Sequence, residues 1–158
     1  MSEQKYEGGC ACGHVRYQLT SAPLFTHCCH CHHCQRESGS AFALNAMIET
    51  DKIKLLGAEP VMVDVPTKSG EGQTFARCPN CQIALWSHYA GAYDKIAFIR
   101  VGTLDEPDNI APDIHIYTQT KRDGVILPDD IPAVEEYYDR KDYWPKASLR
   151  RRADLGLD

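Results

Sequence analysis

The chain has 158 residues, of which 43% are hydrophobic and 25% are charged, so its length suits one domain and its composition suits a globular protein. This composition excludes general disorder, because a chain with this apolar content can bury a hydrophobic core. There are 17 Lys and Arg residues against 22 Asp and Glu residues, a net charge of -5. This balance argues against a nucleic-acid partner bound through phosphate neutralisation.

The sequence carries no sign of export or of a membrane partner. Its first residues, MSEQKYEGG, lack the basic and apolar regions of a secretory signal. No apolar run reaches the roughly 18 residues that a membrane-spanning helix needs. We therefore expect a cytoplasmic protein with no membrane partner.

In chain order, short alternating segments separated by Gly, Pro and Ser predict a strand-rich domain. Helix is expected only in short pieces, one after Cys31 and one at 133–140, where Pro132 suits a first helical turn. The basic tail at 149–152 is expected to be solvated and frayed. Together these elements predict a mainly β domain with little helix. The predicted strands are 15–20, 41–48, 53–56, 61–65, 73–77, 83–88, 95–101 and 114–118.

Cysteine is the most informative residue type in the chain. Eight cysteines in a reducing compartment indicate metal binding or catalysis rather than disulfides. Thiolate and imidazole groups at short spacings are the ligands that zinc takes in tetrahedral sites. The cysteines form a C-x-C pair, a C-x-x-C pair and a cluster at residues 27–34 that reads HCCHCHHC; the pairs are Cys10 with Cys12 and Cys78 with Cys81.

The cysteine spacing predicts two different zinc sites. Residues i and i+2 of an extended segment point to the same side, so Cys29 and Cys31 can converge on one ion, and Cys34 can return to it if the chain turns. Three protein ligands with one open position are typical of a catalytic or ligand-binding zinc. The two outer pairs supply four thiolates, which predicts a closed structural zinc site. Its predicted ligands are Cys10, Cys12, Cys78 and Cys81.

Two alternatives remain open at this point. The first is a pair of purely structural zinc sites, in which Cys28 or a neighbouring histidine supplies the fourth ligand of the second ion. The second is a disulfide framework, which a reducing compartment disfavours.

Four motifs resemble the glutathione-dependent formaldehyde-activating enzyme family, which also includes the centromere protein V domain. Residues 8–17, GGCACGHVRY, are similar to the family's opening motif, and residues 29–42, CHCHHCQRESGSAF, to its C-H-C-x-x-C-x-x-x-S-G-S-x-F signature. Residues 77–81, RCPNC, and 102–107, GTLDEP, fall where the family has its second cysteine pair and its G-T-L-D motif. The resemblance covers roughly residues 5–140 of a single domain that spans 1–158.

The resemblance implies a β-tent fold of small antiparallel sheets, two zinc ions per chain and carbon–sulfur lyase chemistry. In the family's reaction glutathione adds to formaldehyde to give S-hydroxymethylglutathione, and the reverse reaction cleaves the carbon–sulfur bond. Cys29, Cys31 and Cys34 would then hold the catalytic zinc. The expected partners are small-molecule thiols and aldehydes, with glutathione as the thiol co-substrate.

Polar residues beside the cysteines are candidates for substrate contacts. Arg36 and Arg77 could each bind a carboxylate of glutathione through two hydrogen bonds, or instead balance the charge of the thiolates. One of His30, His32 and His33 could move the proton, because the pKa of histidine lies near neutrality.

A second function class stays open beside the enzyme. The chain could be a non-catalytic module with two structural zinc ions that binds a protein partner. An open second zinc site that exchanges thiols favours the enzyme, and a closed second site favours the module.

Overall fold

The structure is a computed structural model that describes residues 6–157, and within this range the domain is mainly β, as predicted. Ten strands and three α-helices lie in the described part of the chain. The strands are β1 (Tyr6–Gly9), β2 (Arg16–Leu19), β3 (Phe25–Cys29), β4 (Ala43–Glu49), β5 (Ile53–Leu55), β6 (Val61–Val65), β7 (Gln73–Arg77), β8 (Ala84–Tyr89), β9 (Ile96–Arg100) and β10 (Ile114–Ile116). The helices are α1 (His32–Ser38), α2 (Arg140–Tyr143) and α3 (Lys146–Asp154).

The strands form two sheets. The larger has seven strands in the order β10-β3-β4-β9-β8-β7-β6, and the smaller has three in the order β1-β2-β5. All neighbouring strands are antiparallel except β10 and β3, which are parallel. The order places β3, which ends in Cys29, near one edge of the large sheet and β7, which precedes Cys78, near the other.

Both faces of the large sheet are covered, because the side chains of its central strands alternate between two hydrophobic clusters. In β4, Ala46 and Ile48 belong to the first cluster, whereas Met47 belongs to the second. The first cluster includes Cys10 and Cys78, and the second includes Cys29 and Cys34. The two cysteine groups are therefore anchored in different hydrophobic clusters.

The predicted helix at 133–140 is wrong. This segment runs alongside β10, and its backbone groups bond to that strand instead of to one another. The Val134 N–H donates to the His115 carbonyl at 2.9 Å, and the Tyr117 N–H donates to the Glu136 carbonyl at 2.8 Å. Ala133 forms an isolated β-bridge with His115. Pairing with β10 thus overrides the local helical tendency of the segment.

The predicted frayed tail at 149–152 is also wrong, because these residues lie in α3 and α3 is fixed to the domain. The Ser148 hydroxyl donates to the Leu24 carbonyl at 2.7 Å. Arg151 binds both carboxylate oxygens of Glu49, with Nε–Oε1 at 2.8 Å and Nη2–Oε2 at 2.6 Å. Leu157, three residues beyond the helix, is buried in the second cluster.

Arg151→Ala is expected to lower the free energy of unfolding by about 1–3 kcal/mol. The Glu49 side chain is only 7% exposed, so its carboxylate loses a partner that water replaces poorly; the 30% exposure of Arg151 limits the effect. Urea denaturation of both proteins measures the difference. Glu49→Gln in the Arg151→Ala background should recover part of the loss, because it removes the unpaired charge, and equal stability of wild type and Arg151→Ala would contradict the prediction.

No helix within residues 6–157 is both long enough and apolar enough to cross a membrane.

Candidate active site

The four cysteines of the outer pairs meet at two neighbouring turns. Cys10 and Cys12 follow β1 in a turn where the Cys10 N–H donates to the Val15 carbonyl at 3.1 Å, and Cys78 and Cys81 lie between β7 and β8. All four sulfurs lie within 4.8 Å of one another. The Sγ–Sγ distances are 3.6 Å from Cys10 to Cys12 and 3.7 Å from Cys12 to Cys78. The structure thus brings the predicted four-thiol group together.

These distances fit the donor set of a tetrahedral zinc site. Four sulfurs at about 2.3 Å from a tetrahedral centre lie about 3.8 Å apart. Backbone amides support negative charge on the sulfurs: the Val15 N–H lies 3.3 Å from Cys10 Sγ, and the Cys81 N–H lies 3.5 Å from Cys78 Sγ. The backbone N–H of Ile83 lowers the pKa of Cys81 to about 6. Four protein ligands would complete the coordination of one ion.

The second group contains three cysteines at the junction of β3 and α1. Cys29 ends β3, Cys31 is the N-cap of α1, and Cys34 lies in the first turn of the helix, so the turn returns the third sulfur to the first two. The three sulfurs lie within 4.8 Å of one another. Thiol hydrogen bonds from Cys29 and Cys34 lower the pKa of Cys31, and the same contact with Cys31 raises the pKa of Cys29. Cys31 is therefore the thiol of this group that ionises most readily.

Cys28 turns away from this group and belongs to a third one. Its Sγ lies 3.5 Å from His30 Nε2, which lies 2.9 Å from His115 Nδ1. Cys28 and His30 share one side of the extended segment, and His115 is the register partner of Cys28 on β10. The structure therefore does not bring Cys28 to the three-cysteine group as a fourth ligand.

The buried histidine pair is incompletely satisfied. His30 Nδ1 and His115 Nε2 are buried with no hydrogen-bond partner among the described residues. Burial lowers the pKa of His30 to about 4 and also lowers that of His115, so both rings are neutral at pH 7. Each neutral ring carries one N–H. One of these two N–H groups donates to the other ring, so the second N–H is left without an acceptor, whichever ring donates.

A cavity of about 800 Å³ opens beside the three-cysteine group, and all three of these cysteines line it. Four basic side chains also line it, and no Asp or Glu of residues 6–157 does. The rest of the wall is largely aromatic and aliphatic. The basic residues are Arg36, Lys68, Arg140 and Arg152; the apolar and aromatic ones include Met47, Tyr89, Ile96, Phe98, Ile116, Tyr117, Tyr137 and Trp144.

One side of the cavity is held by a chain of hydrogen bonds. The Trp144 Nε1–H donates to the Tyr138 hydroxyl at 2.8 Å, and the same hydroxyl lies 2.5 Å from His27 Nε2. Burial lowers the pKa of His27 to about 3, which keeps the ring neutral and able to accept. The network therefore fixes the ring of His27 where it lines the cavity.

Two histidines of α1, His32 and His33, also line the cavity, whereas His30 does not. His33 Nε2 lies 2.8 Å from Gln73 Oε1, and the amide nitrogen of Gln73 donates to Ser87 Oγ at 2.8 Å. Because the carbonyl oxygen of Gln73 can only accept, His33 donates to it from Nε2, and a neutral His33 ring would have its lone pair on Nδ1.

The two arginines proposed for glutathione lie in different environments. Arg36 lines the cavity. Arg77 is not among the residues that line it: its guanidinium forms an ion pair with Glu37, donates to the Gln82 carbonyl at 3.0 Å and lies over the ring of Phe75. This placement gives Arg77 a role in joining α1 to the turn of the four-cysteine group.

Several cavity residues were missed by the sequence reasoning. Tyr137, Arg140, Trp144 and Arg152 come from the C-terminal part of the chain, for which the sequence predicts only a short helix at 133–140 and a frayed end at 149–152. The aromatic pairs at 137–138 and 143–144 were the available signal, because such side chains are seldom clustered without a surface to cover.

The fold and the site define a mainly β protein with two cysteine groups able to hold metal ions, one of them at the wall of a cavity. The family model described as glutathione-dependent formaldehyde-activating enzyme matches residues 5–120, and the chain belongs to this family. The resemblance seen in the motifs is therefore confirmed, and residues 121–157 lie beyond the match.

Comparison with individual proteins adds little to this assignment. No curated protein matches the chain. Among solved structures, the crystal structure of a Rhodobacter sphaeroides protein matches with a TM-score of 0.47 and 18% sequence identity, over 81% of this chain and 99% of that chain.

Proposed function

We propose that this protein is a zinc-dependent enzyme of the carbon–sulfur lyase type. It adds the thiol of glutathione to formaldehyde or a related small aldehyde, or cleaves the same bond in reverse. Membership of a family named for formaldehyde activation supports an enzymatic role. The observation that carries the proposal is the difference between the two cysteine groups, since four thiols enclose the first and only three line the cavity at the second.

Both cysteine groups suit zinc, and we assign one ion to each. At the three-cysteine group the protein would supply three thiolates, and a zinc ion held there would have a fourth position able to bind the sulfur of an incoming thiol as a thiolate. All eight cysteines are free thiols, which supports a reducing compartment such as the cytoplasm. The structural ion would bind Cys10, Cys12, Cys78 and Cys81, and the catalytic ion would bind Cys29, Cys31 and Cys34.

The charge of the cavity suits glutathione, which carries two carboxylates. Arg36 can bind one carboxylate through two parallel hydrogen bonds, and Lys68 can bind the other as a compact positive charge. No Asp or Glu among the described residues lines the cavity beside these two cations.

The addition forms a sulfur–carbon bond and breaks the π bond of the aldehyde, so the thiol proton must reach the aldehyde oxygen. His33 is suited to move it, because Gln73 Oε1 holds the Nε2–H and leaves the Nδ1 lone pair to accept a proton. The same nitrogen can return the proton to the developing alkoxide. We therefore assign the proton transfer to His33.

Native mass spectrometry with and without glutathione tests this function. We expect two zinc ions per wild-type chain and one glutathione adduct. Cys31→Ser should lose the adduct, because serine keeps the cap to the Cys34 amide but removes the thiolate. Cys28→Ala is the matched control, since Cys28 lies outside the three-cysteine group, and it should keep the adduct. Two zinc ions without an adduct in the wild type would favour the non-catalytic module instead.

A further inference from the structure

The cavity is completed by residues that the family match does not include. The match ends at residue 120, whereas Tyr137, Arg140, Trp144 and Arg152 all line the cavity. We call this part of the cavity, residues 137–152, the C-terminal wall. Its side chains lie on the same cavity as the three cysteines, so it is placed to contact whatever is bound to them.

The C-terminal wall is fixed in place. Trp144 is 5% exposed and stacks on Phe25 with ring centroids 5.5 Å apart. The ring of Tyr137 stacks on that of Tyr138 at 4.8 Å. The bonds of Ser148 to Leu24 and of Arg151 to Glu49 hold the following helix. The cavity is therefore formed before a ligand arrives, which lowers the entropic cost of binding.

The chemistry of the cavity lining exceeds what formaldehyde and glutathione need. The volume of about 800 Å³ lies within the range of about 300–1,000 Å³ for pockets that hold drug-sized ligands, and glutathione is a ligand of this size, so the excess lies in the side chains that line the cavity. Glutathione is polar along its whole length, so it matches the basic side chains but not the aromatic ones. The aromatic side chains that line the cavity have no apolar counterpart in formaldehyde or in glutathione. These side chains are Tyr89, Phe98, Tyr117, Tyr137 and Trp144.

We propose that the aromatic lining of the cavity, to which Tyr137 and Trp144 of the C-terminal wall belong, selects thiol adducts whose carbon substituent is a large apolar or aromatic group, so that the aldehyde handled here is bulkier than formaldehyde. This inference rests on the proposed function. In the cleavage direction, the sulfur–carbon bond of the adduct breaks, the hydroxyl proton moves to the sulfur, and the aldehyde leaves with a new carbonyl bond. The step needs no oxidant, reductant or further reactant.

Binding of two stable thioethers tests the inference without relying on turnover. S-benzylglutathione and S-methylglutathione share the tripeptide and differ by a phenyl ring, and neither has a free thiol. By isothermal titration calorimetry the wild type should bind the benzyl compound about 10- to 100-fold more tightly, the gain expected from burying an aromatic ring.

Variants of one tyrosine locate this preference. Tyr137 is 46% exposed and stacks on Tyr138, so Tyr137→Ala should still give a cooperative thermal melt while reducing the preference for the benzyl compound at least fivefold. Tyr137→Phe keeps the ring and should keep the preference. Tyr143→Ala is the matched control, because Tyr143 is 37% exposed, lies in the same segment and does not line the cavity.

Each outcome decides the inference. Equal affinity of the wild type for the two thioethers, or a preference that survives Tyr137→Ala, would overturn it, while a glutathione adduct in native mass spectrometry would leave the proposed function standing. If the wild type bound none of the three compounds, the two thioethers and free glutathione, both the inference and the proposed function would be overturned.

Discussion

Cys78→Ser is expected to leave the chain without a stable fold. Cys78 is fully buried in the first hydrophobic cluster, and its sulfur lies in the four-thiol group that joins the turn after β1 to the turn after β7. Structural zinc contributes about 10–16 kcal/mol in zinc-finger peptides, which is comparable with the whole stability of a domain, about 5–15 kcal/mol. Serine has nearly the shape of cysteine, so the effect would come from the lost thiolate and not from packing.

Circular dichroism melts and metal content by mass spectrometry measure the effect, with Cys31→Ser as the matched control. Cys31 is half-buried, and the control should fold with a melting temperature within a few degrees of the wild type while holding one zinc ion in place of two. A cooperative melt of Cys78→Ser at the wild-type temperature would show that the four-cysteine group does not stabilise the fold.

The strands were predictable where alternation is bounded by turn residues. The predicted strands 61–65 and 73–77 have the bounds of β6 and β7, because Pro66 and the Gly-rich loop before Gln73 interrupt the alternating pattern on both sides. The segment 133–140 failed for the opposite reason. Its side chains allow a helix. Its backbone is extended because it forms hydrogen bonds with the edge of β10, some twenty residues earlier in the chain, and no local pattern in the sequence reveals this pairing.

The cysteine groups were predictable because their geometry is local. Alternation along β3 directs Cys29 and Cys31 to one side and Cys28 to the other, and a helix that begins at Cys31 returns Cys34. The meeting of the two outer cysteine pairs at one site could be predicted from the preference of zinc for four ligands alone. The cavity was not predictable in this way, since contacts such as that of His27 with Tyr138 join residues 111 positions apart with no spacing rule to reveal them.

Trp144→Ala is expected to lower the free energy of unfolding by about 3–5 kcal/mol. The indole is buried, stacks on Phe25 and donates to the Tyr138 hydroxyl, so its removal opens a void and leaves this hydroxyl without a donor. The loss would reach the cavity, because the same hydroxyl holds the ring of His27 where it lines the cavity. Guanidinium denaturation measures the stability.

Trp144→Phe separates the two contributions of this side chain. Phenylalanine keeps an aromatic ring against Phe25 but cannot donate a hydrogen bond to Tyr138, so it should lose about 1–2 kcal/mol and retain most of the packing. If the C-terminal residues were a solvated tail, both variants would be as stable as the wild type. A graded loss from Trp to Phe to Ala would instead show that the part of the chain beyond the family match packs into the folded core, beside the cavity that Trp144 lines.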